Sequence, residues 1–120
     1  MATLPAGDID RAGKFYAEVA GFEVSPQGED GSIRVHVADT SIMVYPSTFA
    51  GTNQATAVGI GVEDIDAAVA YFKARGVAFE EYDFGEMKTV DGVLTMPDGT
   101  KGAWFKDTEG NIIGLFDGEM

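Results

Sequence analysis

Apolar residues recur at helical spacing in two stretches of the chain. After Asp8 they stand at Ile9, Ala12, Phe15, Tyr16 and Val19; after Asp64 they stand at Ile65, Ala68, Val69 and Phe72. This pattern predicts helices over 8–20 and 64–75. Asp8 and Asp64 suit the N-cap, because a short carboxylate accepts from the free amides of a first turn. Gly21 and Gly76 stand where a helix ends on a left-handed residue. Elsewhere the period is two. Ile33, Val35 and Val37 alternate with Arg34 and His36, and Val58, Ile60 and Val62 alternate with Ala57, Gly59 and Gly61. Two further strands, Gly92 to Met96 and Lys101 to Lys106, flank the hairpin turn Pro97-Asp98-Gly99-Thr100. The turn Asp107-Thr108-Glu109-Gly110-Asn111 leads into a last strand, Ile112 to Phe116.

The two helical stretches belong to an internal repeat. Asp8-Ile9-Asp10-Arg11-Ala12 is matched by Asp64-Ile65-Asp66-Ala67-Ala68, and Phe15-Tyr16 by Tyr71-Phe72. Gly21-Phe22 matches Gly76-Val77 after a gap of one residue. A second echo, in the same order, pairs Val37-Ala38-Asp39-Thr40 with Phe105-Lys106-Asp107-Thr108. A duplicated module of about half the chain explains both. The expected architecture is α+β, with two β-α-β-β-β modules, 1–52 and 53–120, in a single domain.

Charge narrows the partners. The chain has 20 Asp and Glu against 8 Lys and Arg, a formal net charge of -12. Such a surface repels phosphate backbones, so nucleic acid is not an expected partner, and a cationic or neutral small molecule is favoured over an anionic one. The same charge also serves simply to keep the protein soluble. With no cysteine, disulfides, thiol nucleophiles and thiolate metal sites are excluded, which accords with a reducing compartment. Met1 to Leu4 runs into Pro5 and Gly7 without the basic start and apolar core of a signal peptide. No apolar run approaches the ~18 residues of a membrane helix. The expectation is a cytoplasmic protein with no membrane partner.

The repeat and two motifs carry a family resemblance. Asp8-Ile9-Asp10-Arg11-Ala12 with Phe15-Tyr16 and Gly21-Phe22 resembles the first helix of the vicinal-oxygen-chelate superfamily, which includes glyoxalase I and the bleomycin-resistance proteins. Ala103-Trp104-Phe105-Lys106-Asp107-Thr108-Glu109-Gly110-Asn111 resembles that family's closing F-x-D-P-D-G-N signature, with Thr108 in place of the proline. The resemblance implies a curved, cup-like sheet, a cavity between the modules and a homodimer.

In metal-using relatives the ligands come from the first and last strands of each module. Counting from the capping aspartates and the closing turn puts Met1, Val44, Ala57 and Gly114 at those places. None offers the hard oxygen or imidazole donor that a divalent cation needs, so no metal cofactor is expected. Strand alternation, extended from these positions, puts Ile42, Val44, Ala57, Gly59, Ile112, Gly114 and Phe116 on the cavity face. Met43, Val58, Ile60, Val62, Ile113 and Leu115 are expected against the helices. Val35 and Val37 facing the helices would leave Arg34 and His36 towards the cavity. Trp104, the repeat partner of His36, also matches a ligand-contacting aromatic of fosfomycin-resistance relatives.

Each candidate has a plainer role open to it. Trp104 can be core, His36 a strand-edge residue, and Arg34 a neutraliser of nearby carboxylates. The glycines can serve strand packing alone. Glu80, Glu81, Asp83 and Glu86, beside Tyr82, Phe84 and Met87, read as an exposed acidic strap. The single histidine has no placed partner, so no catalytic triad is identifiable. The resemblance and the residues together suggest a metal-independent small-molecule-binding protein of the bleomycin-resistance type, an antibiotic-resistance class. The alternative is a glyoxalase-like lyase or isomerase using His36 or a carboxylate as a proton shuttle. A third possibility is a non-catalytic assembly domain.

Overall fold

The computed structural model describes residues 2–83, 85 and 88–117. Met1, Phe84, Glu86 and Met87, named above, lie outside the described residues. Among the described residues, eight strands and two helices follow the expected order twice. The first set is β1 (Ala2–Ala6), α1 (Ile9–Lys14, continued by a π-helical turn, Phe15–Val19), β2 (Glu23–Val24), β3 (Ile33–Val37) and β4 (Thr40–Pro46). The second is β5 (Thr56–Gly61), α2 (Ile65–Ala74), β6 (Val93–Thr95), β7 (Lys101–Lys106) and β8 (Ile112–Phe116). The sheets run β1-β4-β3-β2 and β5-β8-β7-β6, the same topology in each. The α+β fold with paired β-α-β-β-β modules is therefore present. The chain divides into two compact units: Met1–Ala55 with Asp107–Asn111, and Thr56–Lys106 with Ile112–Met120.

Both predicted caps form. The Asp8 carboxylate accepts from the Arg11 amide and the Asp64 carboxylate from the Ala67 amide, each at 3.1 Å. The single-residue gap in the repeat has a structural cause. In α1 the Ala20 amide reaches back five residues to the Phe15 carbonyl (2.9 Å), a π-turn that absorbs one inserted residue. The closing bonds of the two helices remain equivalent: Phe22 N–H donates to the Tyr16 carbonyl and Val77 N–H to the Phe72 carbonyl.

In the first unit, Leu4, Ile33, Val35, Ile42 and Val44 are buried with Ala12, Phe15 and Tyr16 of the helix. Here the expected facing is wrong for β4. Val35 lies directly opposite Ile42, and Ile33 opposite Val44, so all four share the helix side. Ile42 and Val44 are therefore not on the open face, and Met43, opposite Arg34, is. The cause is turn length. β3 and β4 are joined by the two-residue turn Ala38-Asp39, whereas Asp107–Asn111 separates β7 from β8. The odd-numbered difference reverses the side on which aligned residues emerge.

The second unit keeps the expected facing. Phe105, opposite Ile113, packs on Phe72 of α2 with ring centroids 5.1 Å apart, and Phe79 adds edge-on contacts to both rings. Val58 and Ile60 pair with Ile113 and Leu115 on the same side. The register of β5 on β8 shifts between Thr56 and Val58, so Ala57 is a bulged residue without a partner in the ladder.

Candidate functional site

The side of the second sheet away from α2 carries an aromatic surface laid over glycines. Trp104 is opposite Gly114, and Phe116 is opposite both Gly102 and Gly61. Because side chains alternate, these residues share a face with Ile112 and Gly59. Trp104 and Phe116 meet edge to face at 5.6 Å, and Tyr82 meets Trp104 at 5.7 Å. The rings lie where side chains at Gly102 and Gly114 would stand. A Cβ at Gly114 would come within 2.7 Å of Phe116 Cε2 and 3.1 Å of Trp104 Nε1; one at Gly102 would come within 3.1 Å of Trp104 Cη2. Glycine at these two positions is thus what lets the rings lie on the sheet. A Cβ at Gly61 would meet nothing within 4 Å, so this part of the same face is open.

Trp104 is half-buried, outside the Phe72–Phe79–Phe105 core. Its indole N–H donates to Thr56 Oγ1 at 3.1 Å. That bond fixes the ring and leaves the Thr56 hydroxyl its own proton to donate. Burial raises the Tyr82 phenol above its usual value, with the Glu80 carboxylate adding to the effect.

The first sheet's open face is polar. Arg34 is exposed and His36 half-buried, both away from the helix as expected. Ser25 Oγ lies 2.7 Å from His36 Nε2, a partner that the sequence pattern does not reveal. Ser25 belongs to the strand-edge stretch after the two-residue β2, which has no periodicity to read. Glu23 stands opposite His36 in register. The acidic strap is tied at Glu80, which pairs with Lys106 at 3.4 Å and whose amide donates to the Trp104 carbonyl. It is tied again at Tyr82, which bonds to Thr89, and at Asp83, which bridges to Lys88. Glu81 and Asp83 are exposed.

The donor chemistry does not suit a divalent cation. Val44 faces the helix, Ala57 is a bulge, Gly114 lies beneath two rings, and Met1 is outside the described residues. The open face of β4 offers Ser41, Met43 and Tyr45 instead. Among the described residues no three His, Cys, Asp or Glu side chains are grouped to hold a metal.

A second, buried polar cluster lies in the first unit, at residues the sequence does not mark as a site of any kind. Asp107 accepts from the Tyr16 hydroxyl (2.6 Å), from the Glu109 and Asn111 amides, and from Asn111 Nδ2. The Glu109 side chain is fully buried; it accepts two bonds from Arg11, at 2.7 and 2.9 Å, and one from the Asp8 amide. The Arg11 guanidinium above all holds the Glu109 carboxyl down to about 2, with the Asp8 amide and Thr108 hydroxyl assisting. Burial and the Asp107 carboxylate push the Tyr16 phenol well up. Asn111 also donates to the Pro5 carbonyl at 2.8 Å. Every member is satisfied, so the cluster reads as architecture.

Residues 1–115 match the Glyoxalase/Bleomycin resistance protein/Dioxygenase superfamily, and the chain belongs to that family. No curated protein shows a significant match. Solved structures do. A superfamily member from Sphaerobacter thermophilus DSM 20745 is 22% identical, with a TM-score of 0.73 over 98% of this chain and 94% of that one. Lactoylglutathione lyase from Agrobacterium tumefaciens is 17% identical, with a TM-score of 0.72 over 98% and 90%. TnmS3, an antibiotic binding protein from Streptomyces sp. CB03234, is 23% identical, with a TM-score of 0.67 over 98% and 92%. At these identities the likeness is one of fold. Among the described residues no helix is long and apolar enough to cross a membrane.

Proposed function

We propose that the protein binds a small organic molecule, without a metal, on the open face of the second sheet. The observation that carries this reading is the aromatic surface of Trp104, Phe116 and Tyr82 laid over Gly102 and Gly114. Rings held outside the core offer a rigid apolar face to a ligand at low entropic cost. The bare strand at Gly59 and Gly61 would complete the binding surface, with Ala57 at its edge; Ile112, on the same face, is itself buried. A net-negative chain suits a neutral or cationic ligand. The fold likeness to TnmS3, an antibiotic binding protein, makes sequestration, including antibiotic resistance, the first class to test. The site would work in a cytoplasmic homodimer.

Trp104 is the only tryptophan, so its emission reports on this face directly. Screening by quenching, followed by recovery of each hit, tests the proposal. Saturable quenching with the ligand recovered unchanged supports it. No hit that depends on Trp104 and Phe116 defeats it. Chemical conversion of a hit, lost on replacing His36, would favour the second reading, a lyase or isomerase. The contact between Ser25 and His36 is what keeps that reading in view.

A further inference from the structure

We infer that the groove between α1 and the β2–β3 edge is a second ligand site, for a small amphipathic amine. It is independent of the aromatic face, and three features of the first unit lead to it.

The first is Gly13. The repeat aligns it with Val69, a core residue only 4% exposed. A glycine inside a helix costs about 1 kcal/mol relative to alanine. Sterics do not demand it, since a Cβ at Gly13 would meet only the flexible end of Ile33, at an ordinary 3.4 Å. Without a side chain at Gly13 the groove stays open over Ile33, which lines its base while remaining only 5% exposed.

The second is the π-turn at Phe15–Val19. Such turns are rare and recur at functional sites. The inserted residue has no counterpart in α2, and the widened turn brings Ala17 and Glu18 to the groove's wall.

The third is the shape and chemistry of the groove. Its volume of about 530 Å³ falls within the roughly 300–1,000 Å³ of small-molecule sites. Ile9, Val24 and Ile33 give it an apolar floor, and Asp10, Lys14 and Glu18 line its rim. Two carboxylates flank one ammonium, so the rim carries a net negative charge within a chain of net charge -12. An apolar body with a single ammonium head complements both parts. An anionic head would oppose the rim.

Three probes with one tail and different heads test the inference: 4-phenylbutylammonium, 4-phenylbutanol and 4-phenylbutyrate. Amide shifts in ¹H–¹⁵N spectra should saturate with the amine and centre on Gly13, Ala17 and Val24. The alcohol should bind about 3-fold more weakly, as expected for one solvent-exposed charge contact, and the carboxylate more weakly still. Gly13→Val, which restores the residue of the second module, should abolish the shifts without lowering Tm. Glu18→Gln should weaken the amine and leave the alcohol unchanged. Trp104→Ala should leave amine binding unchanged. Equal binding of the three heads, or retained binding in folded Gly13→Val, overturns the inference. A Gly13→Val protein that sediments as a smaller species overturns it too, because the groove would then hold a second copy of the chain.

Discussion

The Tyr16 hydroxyl donates to the Asp107 carboxylate at 2.6 Å, in a buried pair separated by most of the chain. The repeat partner of Tyr16 is Phe72, which has no such bond to make and packs on Phe105 instead. That hydroxyl is thus one of the differences between the two helices. Tyr16→Phe keeps the ring and removes the donor, leaving Asp107 with its bonds from Asn111 and the Glu109 amide. A loss of about 1–3 kcal/mol is expected, the cost of depriving a buried acceptor of its partner. Urea unfolding would measure it; unchanged stability would show that the remaining donors suffice.

Glu109 makes stability depend on pH. Its folded carboxyl titrates at about 2, against ~4.3 for an unfolded glutamate. The unfolded chain therefore takes up the proton first as pH falls. The contribution is complete above ~4.3 and is lost as pH drops towards 2. Unfolding free energy should decline over that window, and Glu109→Gln should flatten the decline while costing about 2 kcal/mol at neutral pH. Denaturant titrations at pH 6, 4 and 3 would show whether the slope survives the substitution.

Trp104→Ala separates binding from packing. If a ligand stacks on the indole, affinity should fall roughly 5- to 150-fold, corresponding to about 1–3 kcal/mol. The stability loss should be smaller than the about 3–5 kcal/mol of a core aromatic, because Trp104 stands outside the Phe72–Phe105 core. A large drop in Tm with affinity preserved would make it a packing residue.

Gly114 and Gly61 should respond oppositely to a side chain. Gly114→Val puts atoms where Phe116 lies, 2.7 Å from the built Cβ. It should destabilise by about 1–3 kcal/mol and displace the indole, shifting its emission. Gly61→Val meets open space and gains strand propensity, so Tm should hold or rise while ligand affinity falls. Loss of affinity in neither variant would remove the open face as the binding surface.

Much of the fold was legible because repetition amplified weak local signals. Two aspartate caps, two terminal glycines and a shared motif order implied two modules with one topology. Facing was legible except on β4, where it was carried across turns of unequal length. The second sheet's candidates, Trp104, Ile112, Gly114, Phe116 and Gly59, share a face as expected. Val44 does not, because Ala38-Asp39 is a tight turn and the alignment through Asp39 carried the wrong parity into β4. The ring-over-glycine packing was not legible, since alternation gives a side but not how a side chain lies upon it. Ser25 beside His36 and the Tyr16–Asp107–Glu109–Arg11 cluster depend on contacts far apart in sequence, which no local pattern reports.

The placement of Asp107–Asn111 within the first unit has a consequence for biosynthesis. Tyr16, Arg11, Asp8 and Pro5 leave the ribosome early, yet their partners are encoded near the end of the chain. Until Asn111 emerges, the amino-terminal half holds a buried phenol and a strand carbonyl without their acceptor and donor. Domains that fold as they are made ordinarily complete their first-synthesised part first. Here that part must wait, and its contacts of long sequence separation slow its closure. A fragment ending at Ala55 should accordingly fail to fold alone. During translation, the nascent first half is the stretch on which a chaperone would have longest to act.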